Sequence, residues 1–235
     1  MSVTHSRTVL NAAAACWSCR AAGNGEPFCP ACGKIQPIAA GGSYFALFRL
    51  PEKLNLDSAS LEAQFHKLSW KLHPDNFVRA SELEQKLSLE RSSELNDAFR
   101  TLREPVSRVE YLLAREGMRK EGTAKQQAPP ELLEEVFELN ESLDELRDAR
   151  QSGDDLEALR GRLEAAQQSF QEKLCGVDAE LRNVFAEWDR AIDVSADEAA
   201  RKAAMSKMNE ILNRRSYIRN LVANVQQELA APEPD

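Results

Sequence analysis

Apolar residues recur at intervals of three and four along most of the chain, the period of an α-helix with one buried face. Two such stripes flank Pro74, and they consist of Leu61, Phe65, Leu68 and Leu72 on one side and Leu83, Leu87, Leu95, Ala98 and Leu102 on the other. Pro74 should end the first helix, because the residue before a proline is pushed out of the helical region. The pattern predicts a helical hairpin with His73, Pro74 and Asp75 at its tip.

Three longer stripes follow Pro129 and Pro130, each on one narrow helix face. They are Leu132, Val136, Leu139, Leu143 and Leu146; then Leu156, Leu159, Leu163, Ala166, Phe170 and Leu174; and finally Ala204, Met208, Ile211, Ile218, Val222, Val225 and Leu229. The polar stretch QSGDD (residues 151–155) separates the first helix from the second. Three helices with one apolar face each most simply bury those faces in a three-helix bundle.

The composition favours an all-α fold. Only 10 Gly and 10 Pro occur in 235 residues, and no Asn-Gly or Asp-Gly turn joins alternating runs. No stretch approaches the roughly 20 apolar residues that a membrane-spanning helix needs. Five segments are predicted: a disordered tail (1–15), a cysteine-rich segment with its linker (16–42), a first helical domain (43–117), a second linker (118–129) and the C-terminal bundle (130–235).

The net charge of −8 is spread unevenly and bears on the class of partner. Residues 1–43 carry +2, residues 44–118 carry −1, and residues 119–235 carry −9. Nucleic acid and anionic membranes would repel a protein whose largest part is this acidic. The charge therefore favours protein partners, with no nucleic acid and no membrane among them.

Four of the five cysteines form two Cys-x-x-Cys pairs, Cys16 with Cys19 and Cys29 with Cys32. This spacing predicts a structural zinc site of four thiolates, closed to water and able to supply the folding energy of a short segment. Redox-active pairs or disulfides are the alternative. The odd count and the lack of a convincing secretion signal indicate a reducing compartment, although LNAAAAC superficially resembles a lipoprotein cleavage site. Cys175 is expected to be a small core or boundary residue.

His73 and Asp75 have an ordinary interpretation, as a core or capping histidine and a helix N-cap. Their context favours another one. The segments YFALFRLP, KLHPDNF and LNDAFRTLREPVSRVEYLL, within residues 44–118, resemble the J-domain in order and spacing. In that family a His-Pro-Asp triplet, here His73, Pro74 and Asp75, lies between the second and third helices. The resemblance implies that the triplet docks on the ATPase domain of a DnaK-type chaperone and stimulates ATP hydrolysis.

The helix before the triplet has a polar face opposite its apolar stripe. Gln64, Lys67 and Lys71 form this face, and the two lysines could meet acidic groups on the chaperone. The alternative is a solvated helix face. Because exposed ion pairs are individually weak, these residues should steer association more than hold the complex.

The remaining segments narrow the resemblance. ELLEEVFELNESLDELRD and LNRRSYIRNL are similar to the C-terminal bundle of HscB-type co-chaperones of iron–sulfur cluster biogenesis, and the cysteines with FCPACGKIQP resemble the tetracysteine extension found in eukaryotic and some bacterial members. The resemblance covers residues 16–230. It implies a non-enzymatic co-chaperone that delivers an IscU-type scaffold protein to an HscA-like chaperone. The stretch from Phe170 to about Ser206 looks longer than in short bacterial members, which leaves the register of the middle helix open.

A scaffold-binding surface is expected on the outside of the bundle. Leu133 and Phe137 each follow a stripe residue by one position, about 100° around the helix, and Tyr217 precedes Ile218 in the same way. Family members place scaffold contacts at positions matching Leu133, Phe137, Glu138, Glu141 and Tyr217. Glu134 departs from the family, since some members have an apolar residue there. The alternative is that Leu133, Phe137 and Tyr217 widen the core.

Two other functions stay open at this point. A zinc-dependent nucleic-acid adaptor should be basic with exposed aromatic residues, whereas the cysteine segment carries only +2. A general J-protein for unfolded clients should have a broad apolar groove, whereas the acidic bundle suits one folded partner. The cytoplasm of a bacterium is the expected compartment, with the mitochondrial matrix as the alternative for a eukaryotic chain. The sequence leaves open whether the protein self-associates.

Overall fold

The computed structural model describes residues 10–11, 15–23, 25–119, 129–152 and 156–231. Seven α-helices lie in these residues, namely α1 (Tyr44–Leu47), α2 (Ser58–Leu72), α3 (Glu82–Arg103), α4 (Pro105–Arg115), α5 (Leu133–Ser152), α6 (Glu157–Asp193) and α7 (Glu198–Ala230). The only strands described are two residues each, Leu10–Asn11 (β1) and Ala39–Ala40 (β2), which pair in parallel. The all-α prediction is therefore confirmed. Most of the predicted tail (1–15) and of the second linker (118–129) falls outside the described residues.

The chain forms two compact units, and the division falls inside α4, between Tyr111 and Leu112. The first unit has an apolar core built from the cysteine segment and helices α1 to α3. Its buried members are Ile35, Phe45, Phe48, Leu61, Leu72, Leu87, Leu95, Ala98 and Leu102. The predicted hairpin stripes thus supply most of this core, with Phe65 and Leu68 partly buried against it.

Helix boundaries in this unit follow from capping. Asp57 accepts hydrogen bonds from the backbone N–H groups of Ala59 and Ser60 at the start of α2. Ser81 and Glu84 form a reciprocal capping box at the start of α3. Each helix therefore begins where a side chain satisfies its free N–H groups.

One predicted core position is wrong. Leu83 is 45% exposed, and its neighbour Glu84 is buried instead. Glu84 turns inward because it completes the capping box and also accepts a 2.8 Å hydrogen bond from Nζ of Lys34. The inner face of α3 is consequently more polar than its leucine pattern indicates.

The second unit contains the predicted bundle of α5, α6 and α7. α6 runs unbroken for 37 residues, which settles the register that the sequence left open. Its buried face continues beyond the predicted stripe through Val177, Leu181, Val184, Phe185 and Trp188, and α7 adds Met205 and Leu212.

Cross-helix ion pairs match this packing. Glu135 pairs with Lys173 at 3.0 Å between α5 and α6, and Asp178 pairs with Arg215 at 2.6 Å between α6 and α7. Glu228 of α7 accepts from Arg147 of α5. None of the helices in the part of the chain described above combines the length and the apolar character of a membrane-spanning segment.

Candidate functional sites

The triplet between α2 and α3 lies at an exposed tip. His73 has an extended backbone (φ −58°, ψ 131°), as expected before proline, and Pro74 starts a 3-10 turn that ends at Phe77. Nδ1 of His73 lies 3.3 Å from the backbone nitrogen of Asp75, from which it accepts a hydrogen bond. The side chains of His73 and Asp75 are 55% and 85% exposed. The capping interpretation of His73 is correct, the core interpretation is wrong, and Asp75 is not the cap.

Neighbouring polar side chains hold this tip in place. The amide of Asn76 donates to the Trp70 carbonyl at 2.6 Å. The hydroxyls of Ser88 and Ser92 both donate to the Leu72 carbonyl, at 2.7 and 2.9 Å. These donors satisfy carbonyl groups that the end of α2 would otherwise leave without a partner. Sequence reasoning missed these three donors, since isolated serine and asparagine residues give no periodic signal.

The polar face predicted on α2 is exposed at its two lysines but not fully at Gln64. Lys67 and Lys71 are exposed, and Gln64 is half-buried. Trp70, which the sequence analysis overlooked, is 79% exposed on the same helix. An exposed tryptophan beside two lysines and the triplet gives this end of α2 an apolar as well as a basic component.

The four N-terminal cysteines converge on one point. All four Sγ atoms lie within 4.8 Å of one another. Cys16 with Cys32 and Cys19 with Cys29 are both 3.7 Å apart. Zn–S bonds of about 2.3 Å in a tetrahedron place sulfurs about 3.8 Å apart, so the cluster fits such an ion. Each of these two pairs joins different Cys-x-x-Cys motifs, so the four thiols form one cluster.

Two tight turns position the thiols. The backbone N–H of Arg20 donates to the Cys16 carbonyl, and that of Gly33 donates to the Cys29 carbonyl. Gly33 has a φ of +71°, a conformation that side chains disfavour. The two turns therefore share the same backbone hydrogen bond, and Gly33 suits the positive φ of the second turn.

The sulfurs influence one another electrostatically. The backbone N–H of Cys19, followed by that of Ser18 and by the neighbouring thiols, lowers the pKa of Cys16 to about 6 against the effect of burial. The backbone N–H of Ala21 favours the Cys19 thiolate, but the thiols of Cys32, Cys29 and Cys16 together with burial raise the pKa of Cys19 to about 12. A bound cation would offset the repulsion between thiolates that raises the pKa of Cys19.

Cys175 takes no part in this cluster. It lies on α6 and is exposed, so the predicted core or boundary position is wrong.

Charged residues are buried near the cysteine segment. Arg91 and Glu94 are both buried in α3, and Lys34 lowers the pKa of Glu84 by a direct hydrogen bond.

The predicted scaffold surface is exposed on α5. Leu133 is 55% and Phe137 71% exposed, and Glu138 and Glu141 are exposed beside them. The alternative that the two apolar residues widen the core is therefore wrong. Tyr217 of α7 is half-buried, so a core role remains open for this residue alone.

An ion pair near Tyr217 links α7 to the segment just ahead of α5. Nη1 of Arg214, one helical turn before Tyr217, lies 3.6 Å from a carboxylate oxygen of Glu131, just ahead of α5. Arg214 also pairs with Glu180 of α6. Arg214 thus links α7 both to α6 and to the turn that leads into α5.

The chain is similar to known co-chaperones. No protein-family model matches it. The Co-chaperone protein HscB homolog of Neisseria meningitidis is 36% identical over 170 residues, 72% of this chain and 96% of that protein. The homolog of Photobacterium profundum is 42% identical over 107 residues, 46% of this chain and 63% of that protein. The crystal structure of human co-chaperone protein HscB superposes with a TM-score of 0.61 at 25% identity, covering 92% of this chain and 98% of that one.

Proposed function

Because the chain belongs to the HscB co-chaperone family, we propose that it stimulates ATP hydrolysis by a DnaK-type chaperone of the HscA kind. It delivers an IscU-type scaffold protein to that chaperone and so assists iron–sulfur cluster assembly. The observation that carries the proposal is the exposed tip, where His73 and Asp75 stand at the end of a helical hairpin. The protein itself is not an enzyme in this proposal, since the ATPase centre belongs to the chaperone.

Chaperone contact is assigned to His73, Pro74 and Asp75, with Gln64, Lys67 and Lys71 on the adjoining face of α2. The exposure of the two lysines supports electrostatic steering towards an acidic partner. Scaffold contact is assigned to the α5 surface, namely Leu133, Phe137, Glu138, Glu141 and, on α7, Tyr217. A small apolar spot with an acidic flank suits one folded partner better than a range of unfolded chains.

The cysteine cluster is positioned to bind a metal ion, and zinc is the metal we propose. Cys16, Cys19, Cys29 and Cys32 would hold it as four thiolates, which leaves no open position for a substrate. Its role is structural. The bacterial sources of the curated relatives support the cytoplasm as the compartment, and the human neighbour keeps the mitochondrial matrix as the alternative.

Steady-state ATP hydrolysis by the chaperone, with the scaffold protein present, tests the proposal. His73→Gln should abolish the stimulated rate while the protein stays folded, because the side chain of His73 is exposed and contributes at most one capping hydrogen bond. His66→Gln is the matched control, since His66 is a second exposed histidine on α2. An unaltered stimulated rate in His73→Gln would refute the assignment of the triplet.

A further inference from the structure

The cysteine segment is held against α3 by buried polar contacts. Arg91 of α3 is 2% exposed. Its Nε donates to the Gln36 carbonyl at 2.9 Å, and its Nη2 donates to the Pro37 carbonyl at 2.6 Å. Its Nη1 donates to Glu94 at 2.8 Å, which balances the buried charge. The planar guanidinium therefore fixes the backbone of residues 36–37 at two adjacent carbonyl groups.

The side chain of Gln36 points back to the sulfur cluster. Its Nε2 lies 2.8 Å from the Lys34 carbonyl, 3.2 Å from the Ile35 carbonyl and 3.3 Å from Sγ of Cys16. The Ile35 carbonyl already accepts from Nε1 of Trp17 at 2.7 Å. The amide of Gln36 thus lies within hydrogen-bond distance of two backbone carbonyls and of the sulfur of buried Cys16.

We infer that Gln36 is a positioning residue of the cysteine metal site, and that α3 holds it there through Arg91. An amide N–H directed at a thiolate disperses its charge and fixes the direction of its lone pairs, as outer hydrogen bonds do at metal centres generally. None of the hydrogen bonds of Arg91 given above reaches a sulfur atom. It acts by fixing the backbone from which the amide extends.

A thermodynamic consequence follows from this arrangement. Ile35 belongs to the apolar core, and Lys34 pairs with buried Glu84 at 2.8 Å, so residues 34–37 serve both the core and the metal site. Metal binding should therefore stabilise the packing of residues 34–37 against α3. This packing should in turn tighten metal binding by the same factor. The inference rests on the proposed metal site and is independent of the proposed chaperone partner.

Competition of the full-length protein with a chromogenic zinc chelator tests the inference. Gln36→Leu should weaken zinc binding about tenfold. Gln36→Glu should weaken it further, because a carboxylate would face the thiolate. Gln85→Leu is the matched control, since Gln85 lies on α3 and donates to the carbonyls of Val78 and Ala80. Zinc affinity within twofold of the wild-type value in Gln36→Leu would overturn the assignment.

The role of α3 needs separate variants. Arg91→Met should weaken zinc binding by a similar factor. A chelator should also lower the melting temperature of this variant by less than it lowers that of the wild type. Arg100→Met, an exposed position on the same helix, is its control. If Arg91→Met does not fold, Lys34→Met removes a docking contact without entering the core, and unchanged zinc affinity in that variant would overturn the linkage.

The absorption spectrum with cobalt(II) in place of zinc is a measurement that a loss of protein stability alone would not change. The thiolate-to-cobalt absorption should shift in Gln36→Leu at saturating metal, because the hydrogen bond to Cys16 is lost. An identical spectrum would contradict the inference. A wild type that binds no zinc would refute the proposed metal site itself. Equal zinc affinity of the wild type and the Gln36 variants would refute only the role of Gln36.

Discussion

The imidazole of His73 caps the turn that carries Asp75, with Nδ1 accepting from the Asp75 backbone N–H at 3.3 Å. The same Nδ1 lies 3.4 Å from Oδ2 of Asp75, so the imidazole contacts both the backbone and the side chain of that residue. The residue proposed for chaperone contact therefore also shapes the tip on which it stands.

These two roles of His73 can be separated. His73→Ala should lower the free energy of unfolding by about 0.5–1 kcal/mol through loss of the cap, whereas His73→Asn, whose side-chain oxygen can accept the same hydrogen bond, should restore most of it. Both variants should fail to stimulate the chaperone. Urea denaturation measures the first effect, with His66→Ala as the control. Equal destabilisation by Ala and Asn would show that the side chain contributes no cap.

The exposure of Phe137 predicts a binding defect without a folding defect. Phe137→Ala should weaken scaffold binding by more than about 1 kcal/mol in calorimetric titration, while the melting temperature stays near that of the wild type. Phe170→Ala is the contrasting variant, because Phe170 is 2% exposed and should cost about 3–5 kcal/mol of folding. Unchanged affinity of Phe137→Ala would remove α5 from the proposed surface.

Tyr217 requires both measurements, since it is half-buried. As an interface residue, its replacement by Ala should lower scaffold affinity with little loss of stability. As a core residue, it should lower the melting temperature and leave the affinity of the folded molecules unchanged. A result of the second kind would restrict the proposed surface to α5.

Metal content is the direct test of the cysteine centre. The purified protein should hold about one equivalent of zinc, and Cys29→Ser should lose it, whereas Cys175→Ser should keep it because Cys175 lies apart on α6. Zinc occupancy should fall in acid, since the metal competes with protons for the thiolates. Zinc retained by a chain without residues 1–42 would place the metal elsewhere.

The pair formed by Glu84 and Lys34 predicts a pH effect. Lys34 lowers the pKa of Glu84 in the folded chain, so the charged carboxylate stabilises the fold at pH values above its ordinary pKa of 4.5. This contribution is lost as the pH falls through the lower, folded value. The difference in unfolding free energy between the wild type and Glu84→Gln should therefore shrink on acidification. In a Lys34→Met background the difference should depend less on pH, and an equal dependence would contradict the assignment.

The sequence was sufficient to predict the helices, the bundle and the cysteine cluster, because periodicity and Cys-x-x-Cys spacing are local signals. The burial of Glu84 and Arg91 was not predictable in this way. Their partners, Lys34, Gln36 and Pro37, lie 50 to 55 residues away, in a segment whose only clear signal is cysteine. The α6 stripe continues through Val177, Leu181, Val184 and Trp188 at the same intervals of three and four, so the periodicity carried this continuation and the sequence analysis overlooked it.

The separation of 55 residues between Gln36 and Arg91 also sets an order of events during synthesis. A ribosome adding about 5–20 residues per second needs roughly 3 to 11 seconds to reach Arg91 after it has passed Gln36. Throughout that interval the four thiols of the nascent chain exist without the helix against which their turns pack. The newborn segment must therefore bind the proposed metal, or keep its thiols reduced, before α3 has been translated.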